Sequence, residues 1–118
     1  MDDIFEMSLL LDFYGQMLTE RQLEIMELHF NDDLSLSEIS QQRGISRQGV
    51  FDNIKRGKAT LFEYELKLGL VDKFTKQRKQ ALLALKLIES IDKANVSQDI
   101  SHKLDSIEKV IKDIIKTV

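Results

Sequence analysis

The sequence predicts an all-α protein, a helix-turn-helix bundle followed by a C-terminal helical hairpin. Proline is absent and glycine occurs only five times in 118 residues, while apolar residues recur at helical spacing along most of the chain. Capping-box signatures stand at Thr19/Gln22 and Ser35/Glu38, each opening an apolar-periodic run. Residues 34–61 then present, in order, a cap, a short helix, a glycine, an apolar plug, a second cap and an apolar-lined helix. That order is the one a helix-turn-helix requires.

Residues 2–14 read as the first helix. Asp2, Asp3 and Glu6 suit the positive end of its dipole. Ile4, Phe5, Leu9 and Phe13, with Met7 and Leu11 beside them, form its expected apolar face, and Gly15 ends it. The Thr19 box opens a helix over residues 20–30, with Leu23, Met26 and Phe30 on one side and Ile25 and Leu28 widening it. A polar turn at residues 31–33 leads into the motif. There Ser35 caps a short helix that buries Ile39, Gly44 sits where the chain must reverse, and Ile45 plugs the corner. Ser46 caps the second helix, whose Val50, Ile54 and Leu61 face the first. This helix is expected to run to residue 67 or 68, with Gly57 as its weak point, Tyr64 and Leu68 extending the stripe, Phe62 and Leu66 beside it, and Gly69 as terminator. Residues 70–75 are the expected seam between two domains, 1–70 and 71–118.

A long helix follows over residues 75–91, with Ala81, Leu85, Ile88 and Ile91 on one face. After a polar break at residues 92–97, the last helix places Ile100, Leu104, Ile107, Ile111, Ile114 and Val118 at spacings of 4, 3, 4, 3 and 4. This heptad stripe predicts an antiparallel helix pair, and a homodimer built from such pairs. Leu82, Leu83 and Leu87 lie on other sides of the preceding helix, so one partner helix cannot cover every apolar residue.

Apolar residues make up 42% and charged residues 31%, a mixture suited to amphipathic helices in water. No apolar run approaches the roughly 20 residues of a membrane span. Met1-Asp2-Asp3 is acidic where a signal peptide would be basic, and a cytoplasmic setting is expected. Cysteine is absent, which excludes disulfides and thiolate metal sites. The net charge of −3 hides a division: residues 1–44 carry ten acids and two bases, residues 45–118 ten acids and fifteen bases. The sign changes at the turn of the motif, so its second helix belongs to the basic part, which permits nucleic-acid binding by an acidic protein.

Leu18-Thr19-Glu20-Arg21-Gln22, an Ile/Leu-rich helix, Asp33-Leu34-Ser35-Leu36-Ser37-Glu38-Ile39 and Ile45-Ser46-Arg47-Gln48 together resemble region 4 of bacterial sigma-70-type transcription factors. The run Ser46-Arg47-Gln48-Gly49-Val50-Phe51-Asp52-Asn53-Ile54-Lys55-Arg56 is similar to the YlxM-like proteins. With the preceding helices this resemblance covers residues 1–75; the C-terminal third matches only as generic helix. It implies a small, all-helical, sigma-region-4-like DNA-binding regulator. Genes of such proteins lie beside those for signal recognition particle proteins, which implies a role in protein targeting. The regions of a sigma factor that melt a promoter have no counterpart here.

In a docked helix-turn-helix the first turns of the second helix enter the major groove. The outward positions are Arg47, Gln48, Phe51, Asp52 and Lys55. Arg47 suits guanine O6/N7 and Gln48 adenine N6/N7, while Lys55, Arg56 and Lys58 suit phosphates, with Ser46 or the helix N-terminus adding a contact. Asp52 and Phe51 favour the other reading, a solvated structural helix or a protein contact. An acid would face a polyanion, although it could accept from cytosine N4; an exposed ring would enter a polar groove, although it could touch a thymine methyl. DNA, RNA and protein partners therefore stay open. Lys73, Lys76, Arg78 and Lys79 form a second basic cluster, suited to phosphates or to solubility, at a helix start where basic charge opposes the dipole.

His29 and His102 stand apart in the sequence and read as surface residues. No phosphate-cradling glycine loop, nucleophile elbow or marked acid/base pair is present, so no catalytic residue, metal or cofactor is expected. The leading expectation is a DNA-binding regulatory protein connected to the signal recognition particle pathway. The rival is an adaptor that binds protein or RNA of the targeting machinery through the same helix, and a third possibility is a protein that acts by self-assembly.

Overall fold

The computed structural model describes residues 4–117, and among these it holds six α-helices, two short 3₁₀ turns and no strand. The helices are α1 (Ile4–Tyr14), α2 (Glu20–Phe30), α3 (Leu36–Arg43), α4 (Arg47–Leu68), α5 (Leu70–Glu89) and α6 (Gln98–Thr117). The dipole contributions expected of Asp2 and Asp3, and the last stripe position, Val118, lie outside the described residues. The chain divides into two compact units, with the boundary between Val71 and Asp72 inside α5.

In the first unit α4 is the central element, packed on α1, α2 and α3. The caps that open α2 and α3 are complete boxes. Thr19 Oγ1 accepts from the Gln22 amide at 3.1 Å while Gln22 accepts from the Thr19 amide at 3.2 Å. Ser35 and Glu38 repeat the exchange at 3.1 and 2.9 Å. Ile39, Val50 and Leu61 are fully buried between the elements the periodicity assigned to them.

The buried face of α1 differs from the expected one. Met7, Leu10, Leu11 and Tyr14 are buried, whereas Ile4 and Phe5 are 60% and 69% exposed and Phe13 is also exposed. This helix is apolar nearly all round, so its periodicity does not single out a face. Two glycines act through close approach rather than turn geometry. A Cβ on Gly15 would lie 3.0 Å from Leu23 Cδ1, and one on Gly57 would lie 3.1 Å from Met26 Sδ. Gly57 is thus the point where α4 closes on α2, and the helix runs through it without interruption. Beyond Leu61 the expected stripe fades: Tyr64 is half-buried, but Leu66 and Leu68 are exposed.

Gly69 ends α4 in the left-handed region at φ 63°, and α5 starts at the next residue. The seam expected at residues 70–75 is therefore helix, and the amides of its first two residues, Leu70 and Val71, find side-chain partners within the first unit. Tyr14 Oη accepts from the Leu70 amide at 3.0 Å and donates to Glu65 Oε1 at 2.6 Å, and Glu65 also accepts from the Val71 amide at 3.0 Å. Burial, then the bond to Glu65, raises the Tyr14 pKa above its ordinary value. Tyr64 stacks beside Tyr14 at a centroid distance of 6.0 Å.

In the second unit α5 and α6 form an antiparallel hairpin. Arg78 Nη1 donates to the Ile115 carbonyl at 3.0 Å, and Lys93 Nζ reaches Asp105 at 2.7 Å and Glu108 at 3.4 Å. The heptad stripe of α6 splits into two lines. Leu104 and Ile111 are half-buried, while Ile100, Ile107 and Ile114 are each close to half exposed. On α5, Ala81, Leu85 and Ile88 are half-buried as expected; Ile91 falls beyond the helix end and is exposed.

Candidate nucleic-acid interface

The turn between α3 and α4 is fixed by its backbone. Gly44 adopts φ 66°, ψ 31°, its amide donates to Ser40 O at 3.0 Å, and Ser40 Oγ donates to the Ile45 carbonyl. A left-handed residue is required here, and glycine takes that conformation without a Cβ clash. Ile45 is half-buried against the core. Ser46, in extended conformation, then accepts from the Gly49 amide at 2.9 Å and starts α4.

Val50, Ile54, Gly57 and Leu61 are the buried edge of α4. At about 100° per residue, Gln48, Asp52, Lys55 and Arg56 point away from that edge, while Arg47, Phe51 and Lys58 flank it. Arg47 and Arg56 lie about half a turn apart, so no single flat surface presents all the expected side chains. Arg47, Gln48, Lys55 and Arg56 are exposed, and among the described residues Arg47, Lys55 and Arg56 make no ion pair. Lys58 is half-buried with its ammonium 5.4 Å from the Phe30 ring centroid, which sets its stem against the core.

Gln48 Nε2 donates to Asp52 Oδ1 at 3.1 Å. This bond orients the Gln48 amide and occupies one Asp52 oxygen, while the Gln48 carbonyl and second N–H stay available for the paired bonds adenine offers. Phe51 is 47% exposed. With Leu36 from the start of α3, and Arg47 and Gln48, it lines a hollow of about 290 Å³. Leu36 comes from the neighbouring helix, and spacing along α4 alone gave no signal of it.

The second basic cluster is dispersed. Lys76 pairs with Asp72 at 2.9 Å, and hydrogen bonding to that carboxylate raises the Lys76 pKa. Arg78 reaches the last turn of α6, away from the side of α5 that carries Lys73, Lys76 and Lys79. Because α5 starts at Leu70 with Asp72 in its first turn, Lys76, Arg78 and Lys79 lie beyond the turn where they were expected to oppose the helix dipole, and only Lys73 remains within it. His29 is not a plain surface residue: its Nδ1 lies 2.8 Å from the Leu34 carbonyl, and its ring meets Phe30 edge-on at 4.7 Å. His102 is exposed. No group of three or more His, Asp or Glu side chains among the described residues is placed to hold a metal ion.

A short capped helix, a left-handed glycine and a second capped helix with an outward polar face define a helix-turn-helix protein. Such a scaffold points away from catalysis. The chain belongs to the UPF0122 family, described as "Putative helix-turn-helix protein, YlxM / p13 like", which it matches over residues 1–117. A UPF0122 protein of Acetivibrio thermocellus is 51% identical over 117 residues, covering 99% of this chain and all of that protein. One from Halalkalibacterium halodurans is 44% identical over 108 residues, covering 92% and 96% of the two chains. No helix among the described residues is long and apolar enough to cross a membrane.

Proposed function

We propose that the protein is a cytoplasmic, non-enzymatic regulator that binds DNA through the exposed side chains of α4, Arg47 on one flank and Lys55 and Arg56 further round the helix. The observation that carries this reading is the set of exposed cations without ion pairs, Arg47, Lys55 and Arg56, on the second helix of the motif. Phosphate contacts supply most of the affinity of such a helix, and one bidentate side chain supplies discrimination. Arg47 and the oriented Gln48 are placed to read bases, and Lys55 and Arg56 to hold phosphates. The process we assign is protein targeting by the signal recognition particle pathway, on the strength of the gene neighbourhood of YlxM-like proteins.

Retardation of genomic fragments at low salt tests the reading. Arg47→Ala or Gln48→Ala should cost about 1–3 kcal/mol on a preferred site. Lys55→Ala should weaken all sites alike and lower the salt slope by about 1. Absence of retardation would refute DNA binding. Asp52 and Phe51 favour the rival, an adaptor for RNA or protein of the targeting machinery, which capture of those components from the native cytoplasm would promote.

We further propose that residues 1–70 act as the binding domain and residues 71–118 as the association domain of a homodimer. Ile100, Ile107, Val110 and Ile114 on α6, and Leu82, Leu83 and Leu87 on α5, remain exposed along a hairpin of two antiparallel helices. A two-fold axis pairs such hairpins into a four-helix bundle and provides two recognition helices for paired half-sites. Sedimentation at micromolar concentration should give a dimer for the full chain and a monomer for Ile107→Lys. A monomeric full chain would refute the assignment.

A further inference from the structure

We infer that the hollow between the start of α3 and the first turns of α4 is a seat for the 5-methyl group of a thymine, read in the major groove. The inference rests on the DNA-binding reading and adds the base that the surface selects.

The walls of the hollow differ in chemistry. Leu36 and Phe51 are apolar; Arg47 and Gln48 are polar and stand beside them at the N-terminal end of α4. A recognition helix presents that end to base edges. Major-groove edges display hydrogen-bonding atoms at every base pair but only one apolar group, the thymine methyl. An aromatic ring left 47% exposed among cations that hold phosphates has no polar atom with which to meet a base edge. The methyl is the feature of the groove that it can contact without stripping water from a donor or acceptor. At about 290 Å³ the hollow accommodates the methyl together with the edge of the ring that carries it.

The neighbouring side chains fit the same base pair. The Gln48 amide, held by Asp52, keeps a carbonyl and an N–H for an adenine edge. Adenine lies opposite thymine, so Gln48 and the apolar pair can address the two halves of one A·T pair or of adjacent pairs. Asp52 is then a positioning residue for Gln48 instead of an acceptor for cytosine. A protein partner would also fill an apolar hollow, but the flanking Arg47 and Lys55 carry charge that favours a polyanion.

The test needs no change to the protein at first. The full chain selects its preferred duplex from a random pool at low salt, and each thymine of that duplex is then replaced by deoxyuridine, which removes only the methyl. At one thymine per half-site, affinity should fall several-fold, and replacement elsewhere should leave it unchanged. In Phe51→Ala, with its helical circular dichroism intact, thymine and uracil at that position should bind equally, and Phe51→Leu should keep part of the preference. A selected duplex indifferent to uracil at every position would overturn the inference and leave DNA binding standing. A methyl preference that survives in Phe51→Ala would overturn it also, by placing the methyl elsewhere. Failure to select any duplex would remove DNA binding, and the inference with it.

Discussion

All thirteen buried apolar side chains belong to the first unit, Val71 being the last; among the described residues of the second unit none is buried. Yet α6, in the second unit, has the sharpest separation of apolar and polar faces in the molecule, and α1, in the first, has almost none. The contrast shows what a one-sided pattern reports. A helix with one neighbour needs one apolar stripe, so its pattern is clear and its burial shallow. In α1 the pattern blurs for another reason: Met7, Leu10, Leu11 and Tyr14 are buried, while Ile4, Phe5 and Phe13 carry apolar surface on its exposed sides as well.

Leu61→Ala, at a fully buried position, should produce the largest loss, about 2–5 kcal/mol in urea unfolding. Leu87→Ala, 60% exposed in the second unit, should change monomer stability by about 0.5 kcal/mol or less. Equal losses at the two sites would erase the distinction between the units.

Tyr14→Phe probes the edge of the first unit. It leaves the part-buried Leu70 amide without its acceptor and should cost about 1–3 kcal/mol. Its pH dependence has a definite sign. The folded-state pKa is raised above the ordinary 10.0, so the stabilisation is complete below that value and disappears as pH rises through the folded one. Wild-type protein should lose stability in strong alkali, and the phenylalanine variant should lose less over the same interval.

Gly44→Ala should cost about 1 kcal/mol, since a Cβ there meets nothing within 4 Å and only the φ of 66° resists it. The smallest effect should come from Glu38. Its bond to the Ser35 amide, then to the Ser35 side chain, lowers its pKa. Its contribution is therefore present above the ordinary glutamate value and is lost as pH falls through the folded value. Glu38→Gln should keep the box, as Gln22 does in the box at Thr19, and flatten the acid limb of a thermal-melting profile.

What could be read in the sequence was local. Caps and left-handed glycines act over three or four residues, and Thr19, Ser35, Gly44, Ser46 and Gly69 all stand where their chemistry predicts. The face of α1 was not legible, because no polar residue marks the wrong side strongly enough. The start of α5 was hidden because one of its caps, Tyr14, reaches the Leu70 amide across 56 residues, and the nearer one, Glu65, is bonded to that same tyrosine. Within the candidate interface, the outward positions of α4 follow from helical period. The second basic cluster divides by the same period, with Lys73, Lys76 and Lys79 on one side of α5 and Arg78 turned to α6, a split that their nearness in sequence conceals.

The bond between Glu65 and Tyr14 makes α4 a segment of fixed length. Each residue turns an α-helix by about 100° and advances it by about 1.5 Å. One residue inserted between Leu61 and Glu65 would carry the carboxylate away from Tyr14 and from the Val71 amide, and would displace the Gly69 stop with it. An addition of a whole number of turns, about seven residues for two, would restore the facing of Glu65 but carry it about 10 Å along the axis past Tyr14, so the contact holds α4 to one length. Residues 90–97 form the turn between α5 and α6, where helical phase is already interrupted. Length variation among chains of this architecture is accordingly expected in the hairpin turn, and α4 should be inherited at constant length even where its exposed side chains are exchanged.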